Sequence, residues 1–206
     1  MTPPKTPAYI TRTQNWDPAR EHPALAWMEN CTHAWDTRQS WTTPHTDWVT
    51  TDFVFVKPNG ERCTGGLPAW EAMRQEYAAF AGSHHEPSWV CVVDCEDDEG
   101  GGWEFVGEGK LFIQLPDGKR PADRTVRDLD GREWDLAVES MFRFRFVRTP
   151  SAVNEGIRIQ RFQFYSDSGP VVAEMLRREI TSCDLVFLLI LDLLGKNHLG
   201  QRLQIM

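Results

Sequence analysis

The stretch Trp48–Pro87, WVTTDFVFVKPNGERCTGGLPAWEAMRQEYAAFAGSHHEP, changes periodicity twice and so fixes most of what can be built around it. Thr50 to Val56 are β-branched and aromatic residues, which favour a strand over 48–56. Pro58-Asn59-Gly60 is turn chemistry that stops it. Leu67, Trp70, Met73, Tyr77 and Phe80 then recur at three- and four-residue steps, an apolar helical face over 66–81. A polar His84-His85-Glu86 corner feeds the next strand, 88–96. A helix folded onto a sheet and followed by paired histidines supplies the floor and rim of a ligand pocket.

The flanking sequence extends this pattern. A first helix starts near Pro23, a favoured residue at a first helical position, and ends by Ser40 to Pro44. Ala24, Trp27, Met28, Cys31, Ala34 and Trp35 form its apolar stripe. Trp103, Phe105, Gly107, Gly109, Leu111, Ile113 and Leu115 mark one face of a long strand, reached through a solvated hairpin turn at 96–102. Asp130-Gly131 predicts a small hairpin inside the charged segment 116–135. Phe142, Phe144 and Phe146 alternate with Arg143 and Arg145, a half-buried strand whose arginines face solvent or a second subunit. In strand 156–165, Ile157 and Ile159 share one parity while Phe162 and Phe164 take the other. That change predicts a β-bulge near Gln160 or Arg161, bending the sheet into a cone with an inside. A helix follows over Val171–Ile180.

The 206 residues, 41% apolar, suit one domain over 21–180, with a flexible arm at 1–20 and an apolar tail at 181–206. The tail is too short and too interrupted by Asp192 for a membrane span; it reads as a packed helix or partner surface, or as no part of the native fold. A net charge of −8 argues against nucleic acid. The amino-terminal segment lacks the apolar run of a signal peptide, and five unpaired cysteines read as reduced thiols, so a cytoplasmic protein is expected. No H-E-x-x-H, paired-cysteine spacing, P-loop or G-x-G-x-x-G is present, and neighbouring His84, His85 and Glu86 alternate sides, so neither a metal nor a cofactor is expected. Nine Trp and eleven Phe provide for a core and for rings lining a cavity.

TTDFVFVKPNGERCTGGLPAWEAM and WDLAVESMFRFRFV…IRIQRFQFYSDSGPVVAEMLRR resemble the nuclear transport factor 2-like superfamily, and within it the SnoaL-like polyketide cyclase/isomerase branch, over roughly Pro23 to Arg178. The resemblance implies an α+β fold: a cone-shaped, strongly bent antiparallel sheet wrapped around N-terminal helices. It also implies a homodimer through the sheet. The superfamily hosts isomerases, cyclases and dehydratases as well as domains without catalysis. Scytalone dehydratases are similar in two places, at Asp36 in WDTRQSW and at His85. Their second pocket histidine has no counterpart here, since Gly102 to Leu115 contains none.

The resulting catalytic candidates are His85 as acid–base, Asp36 as its orienting carboxylate, and Asp52, a carboxylate interrupting an apolar strand. His84, Trp27, Tyr77, Glu139 and Tyr165 are the substrate-binding candidates. The expected activity is cofactor-independent isomerisation, cyclisation or dehydration of a polyketide-like or other cyclic secondary metabolite, a small apolar or aromatic molecule. The alternatives are a non-catalytic binding or assembly domain and an interaction module using Arg143 and Arg145.

Overall fold

The computed structural model describes residues 8–12, 16–95, 101–116, 125–151 and 153–180. In chain order the elements are β1 (Ala8–Arg12), α1 (Pro23–Asp36), β2 (Val49–Val56), β3 (Arg62–Thr64), α2 (Gly66–Ala78), β4 (Gly82–Asp94), β5 (Gly102–Gln114), β6 (Val126–Arg127), β7 (Glu133–Trp134), β8 (Leu136–Arg148), β9 (Ile157–Ser166) and α3 (Gly169–Arg177). One sheet runs β1-β4-β5-β8-β9-β2-β3, and β6 and β7 form the small hairpin expected around Asp130-Gly131. Residues 8–12 of the amino-terminal arm are the strand β1, paired with β4. The turn expected at 96–102 lies mostly outside the described residues, as does the tail at 181–206.

Among the described residues every ladder is antiparallel but one: β2 runs parallel to β9. The sheet is therefore mixed rather than purely antiparallel. The two strands are separated by most of the domain, so no hairpin dictates their relative direction.

Curvature comes from register shifts. Between β8 and β9, Arg145 faces Arg161 but Phe146 faces Ile159, which makes Gln160 the extra residue. This is the bulge that the parity change in β9 requires, and it turns both Ile159 and Phe162 toward the core. A second shift falls between Pro87 and Trp89 of β4.

The helices lie against this bent sheet. The expected α1 stripe is buried at Ala24, Trp27, Met28, Ala34 and Trp35 and half-buried at Cys31, and Leu25, outside that stripe, joins it at 0% exposure. On α2 the buried face is Ala69, Trp70, Met73 and Tyr77; Leu67, on its first turn, is 51% exposed and leaves the expected stripe. The core is ring-rich, with Phe53, Phe55 and Phe105 fully enclosed and Phe144 stacked on Phe162 at 4.4 Å. Arg143 pairs with Glu104 at the surface, whereas Arg145, opposite Glu104 and Arg161 in the ladder, is buried and corrects its reading as a solvated residue. Arg178, just after α3, pairs with Asp135 at 3.0 Å. Among the described residues no helix is long and apolar enough to cross a membrane.

Gly109 sits where β5 passes the β4 shift, and a Cβ there would lie 2.7 Å from the Glu86 carbonyl oxygen. Backbone cannot yield as a flexible side chain would. Gly109→Ala should therefore cost about 1–3 kcal/mol, read as a lower urea midpoint with an unchanged slope.

Candidate active site

β1 pairs with β4 from Trp89 to Val93, and α1 ends beside the stretch of β4 before that ladder. The helix stops because Arg38 takes a left-handed conformation, φ 59°, after the Thr37 cap. The Arg38 guanidinium then donates to the Phe80 carbonyl beyond α2 and lies over the Trp41 ring at 4.7 Å. This ties the end of α1 to the end of α2 and fixes its last residue, Asp36.

Asp36 meets β4 with both carboxylate oxygens. Oδ2 accepts the His85 backbone N–H at 3.0 Å, a strand-edge donor, and Oδ1 is 2.6 Å from His85 Nδ1. Ser83 Oγ stands 3.5 Å from Oδ1, and His84 Nδ1 stands 3.5 Å from Oδ2. Burial alone would raise the Asp36 pKa. The facing His85 and the hydrogen bonds from His84 and His85 outweigh it and hold the carboxyl down at about 2.

Because the carboxylate can only accept, His85 Nδ1 carries a proton, and in the neutral ring Nε2 presents a lone pair. Tyr77 Oη is 3.1 Å from that Nε2 and donates to it. Burial, followed by the charges of Asp36 and Glu76, pushes the Tyr77 phenol pKa up, so it stays a neutral donor.

His85 and Tyr77 open onto a cavity of about 100 Å3, room for several waters. Its walls are mostly apolar: Trp35 and Met73 from the helices, Phe142, Phe144 and Phe162 from the sheet. Burial pushes the Cys31 thiol on the same wall up to about 12, leaving it protonated and inert. Ser40 and Ser140 each bury a hydroxyl at this wall that finds no hydrogen-bond partner among the described residues.

The fold and this geometry can be set beside known proteins. No family model and no curated protein sequence matches the chain. Among solved structures it is similar to Aln2 from a Streptomyces species, with TM-score 0.52, 15% identity, and coverage of 76% of this chain and 97% of that one. It is also similar to ActVI-ORFA from Streptomyces coelicolor, with TM-score 0.50, 12% identity, and coverage of 72% and 98%. The chain has the nuclear transport factor 2-like fold. Identities this low speak for the fold alone.

Within that cone, the structure brings Asp36, His85 and Tyr77 together and sends the other candidates elsewhere. Asp52 is exposed and accepts from Gln160 at 3.0 Å, because alternation along β2 turns Phe53 and Phe55 inward instead. Glu139, its side chain 70% exposed, is not part of the cavity wall, though it lies 3.8 Å from Lys110. Tyr165 is 52% exposed and receives a bond from Gln163 on the outer face. Trp27 is a core residue, packed edge-on against Phe146 and donating to the Asn154 carbonyl at 3.0 Å. His84 lies within β4 rather than at a corner, and the cavity wall includes His85 but not His84.

Sequence reasoning missed Ser40, Glu86, Lys110 and Ser140 as wall residues. Strand alternation sets the Glu86 carboxylate on the His84 side of β4, 3.4 Å from His84 Nε2 and accepting from the Leu129 N–H, so its side chain gave no sign of a place in the wall. His84, Glu86 and Asp128 also bring ligand-type atoms within 4.8 Å of one another. Adjacent-residue alternation could not reveal this group, since Asp128 comes from the β6–β7 hairpin. The Arg132 guanidinium, 2.8 Å from Asp128 and 3.2 Å from His84, puts a fixed positive charge among them.

A carboxyl held at about 2 when folded, against 3.8 unperturbed, stabilises the native state above pH 3.8. That contribution is lost as pH falls through the folded value. Melting temperatures of wild type should drop more steeply than those of Asp36→Asn between pH 3.8 and about 2; parallel curves would refute the coupling.

Proposed function

We propose that this protein is a cofactor-independent isomerase, cyclase or dehydratase acting by general acid–base chemistry on a polyketide-like or other cyclic metabolite. The observation that carries the reading is the Asp36–His85–Tyr77 chain opening on an apolar, ring-lined cavity. Histidine exchanges protons near neutral pH, and the carboxylate fixes which nitrogen is free to do so. His85 Nε2 would remove a proton from carbon next to a carbonyl and leave an enolate. The Tyr77 hydroxyl, released from Nε2 as the proton arrives, would donate to the enolate oxygen. The protonated His85 would then return its proton to another carbon, completing isomerisation, or to a departing hydroxyl, completing loss of water. Ring faces such as stacked Phe144 and Phe162 suit a flat, largely apolar substrate. The buried hydroxyls of Ser40 and Ser140 suit oxygens on such a molecule.

We extend the reading to a homodimer through the sheet, whose outer face exposes Val106, Met141 and Tyr165 at 39, 43 and 52%. A monomer mass at micromolar concentration by sedimentation would rule that out.

The catalytic reading is tested by incubating the protein in D2O with a panel of cyclic ketones and hydroxyketones. Mass spectrometry would follow deuterium entering beside the carbonyl and loss of water. Wild type should catalyse at least one of these reactions, and His85→Ala should lower the rate by about 10²–10⁴-fold. Tyr77→Phe should keep exchange but slow it. Saturable binding of panel members with no exchange above that of His85→Ala would make the protein a binding domain instead.

A further inference from the structure

The second histidine is outside the cavity yet linked to the catalytic pair. His84 Nδ1 lies 3.5 Å from Asp36 Oδ2, the oxygen that accepts the His85 backbone N–H. On its other side, His84 Nε2 lies 3.2 Å from Arg132 Nη2. A guanidinium has only protons to offer, so Nε2 accepts and the ring proton resides on Nδ1, aimed at Asp36. Arg132 is itself fixed, donating from its Nε to Asp128 Oδ2 at 2.8 Å and from Nη2 to Asp130 at 3.1 Å. Asp128, its side chain wholly buried, also accepts from Trp134 Nε1 at 2.8 Å. The Trp134 ring in turn lies nearly parallel to the His84 ring, 11° apart with centroids at 5.9 Å.

We propose that His84 is a positioning residue: through it the β6–β7 hairpin holds Asp36 in the orientation that presents His85 to the cavity. The inference rests on Asp36 and His85 being the working pair proposed above. Asp36 is thereby bracketed from two sides, by His85 at the cavity and by His84 from outside it. Without the outer donor, Oδ2 keeps only the His85 backbone N–H, and the carboxylate is held from the His85 and Ser83 side alone, with more freedom to turn about its Cβ–Cγ bond.

The groups facing His84 are Asp36 from α1, Glu86 from β4, and Asp128 and Arg132 from the hairpin. Burial lowers the His84 pKa, as does Arg132, but Asp36 and Glu86 outweigh them and raise it. Protonation changes only Nε2, which then has Glu86 Oε1 at 3.4 Å as an acceptor. Nδ1 keeps its proton toward Asp36 in either charge state.

The test reads the pair directly and needs no substrate. In proton NMR of the full chain, the His85 Nδ1–H bound to Asp36 should give a downfield signal protected from solvent exchange, assigned by its loss in His85→Ala. His84→Phe keeps a ring against Trp134 and Phe112 but has no donor, and should lose that protected signal. His84→Asn places an amide N–H near the former Nδ1 and should restore it. Arg132→Met should shift the His84 titration upward. A His84→Phe protein that retains the wild-type signal would overturn the proposal. So would equal loss in His84→Phe and His84→Asn with matching falls in melting temperature, which would mark His84 as merely structural. Because the signal belongs to the resting protein, a failure to find any substrate would count against the catalytic reading and leave this result standing.

Discussion

Asp36 ends the first helix against the edge of β4, and its two oxygens take up the side chain and the backbone of the same histidine, at 2.6 and 3.0 Å. The contact does two jobs. It satisfies a strand-edge N–H that would otherwise need water or another strand, and it fixes the ring that faces the cavity. A buried carboxylate is costly unless it is paired and hydrogen-bonded, and here the donors around Asp36 are sufficient to hold it ionised. Helix, sheet edge and cavity are joined at this point.

The rest of the architecture keeps that point in place. Arg38 locks the end of α1 to the end of α2, whose Tyr77 comes to His85 from the opposite side. The bulge at Gln160 bends the far wall so that Phe162 and Phe164 turn inward to meet Phe144 and Phe142. A flat sheet of the same strands would leave these rings beside the helices with no enclosed volume between them.

Parts of this were legible from local pattern. The α1 stripe, the strand–turn–helix of 48–78, the hairpin at Asp130-Gly131 and the bulge in β9 each follow from spacing within a short window, because backbone periodicity and turn chemistry are local. Asp36 and His85 emerged through likeness to scytalone dehydratases, and the structure places them in contact. The failures share a cause. Asp52, Glu139 and Tyr165 lie on strands whose inward face is settled by packing against the helices, and that face carries Phe53, Phe55, Phe142 and Phe164 instead. Arg145 shares its parity with exposed Arg143 but is buried between Glu104 and Arg161 in the ladder, a difference alternation alone does not encode.

The sequence by itself determined most of the elements: the two packed helices, the long strands, where the sheet must bend, and that two histidines follow α2, though not that residues 8–12 of the arm form a strand or that β4 begins before His84. Only the tertiary structure decided which histidine faces the cavity, which carboxylate reaches it, and that Tyr77 closes the chain from behind. Asp36 and His85 are 49 positions apart, and His84 and Arg132 are 48 apart. Contacts at such separations depend on how the sheet curves and where α1 stops, and no periodicity within either segment encodes them.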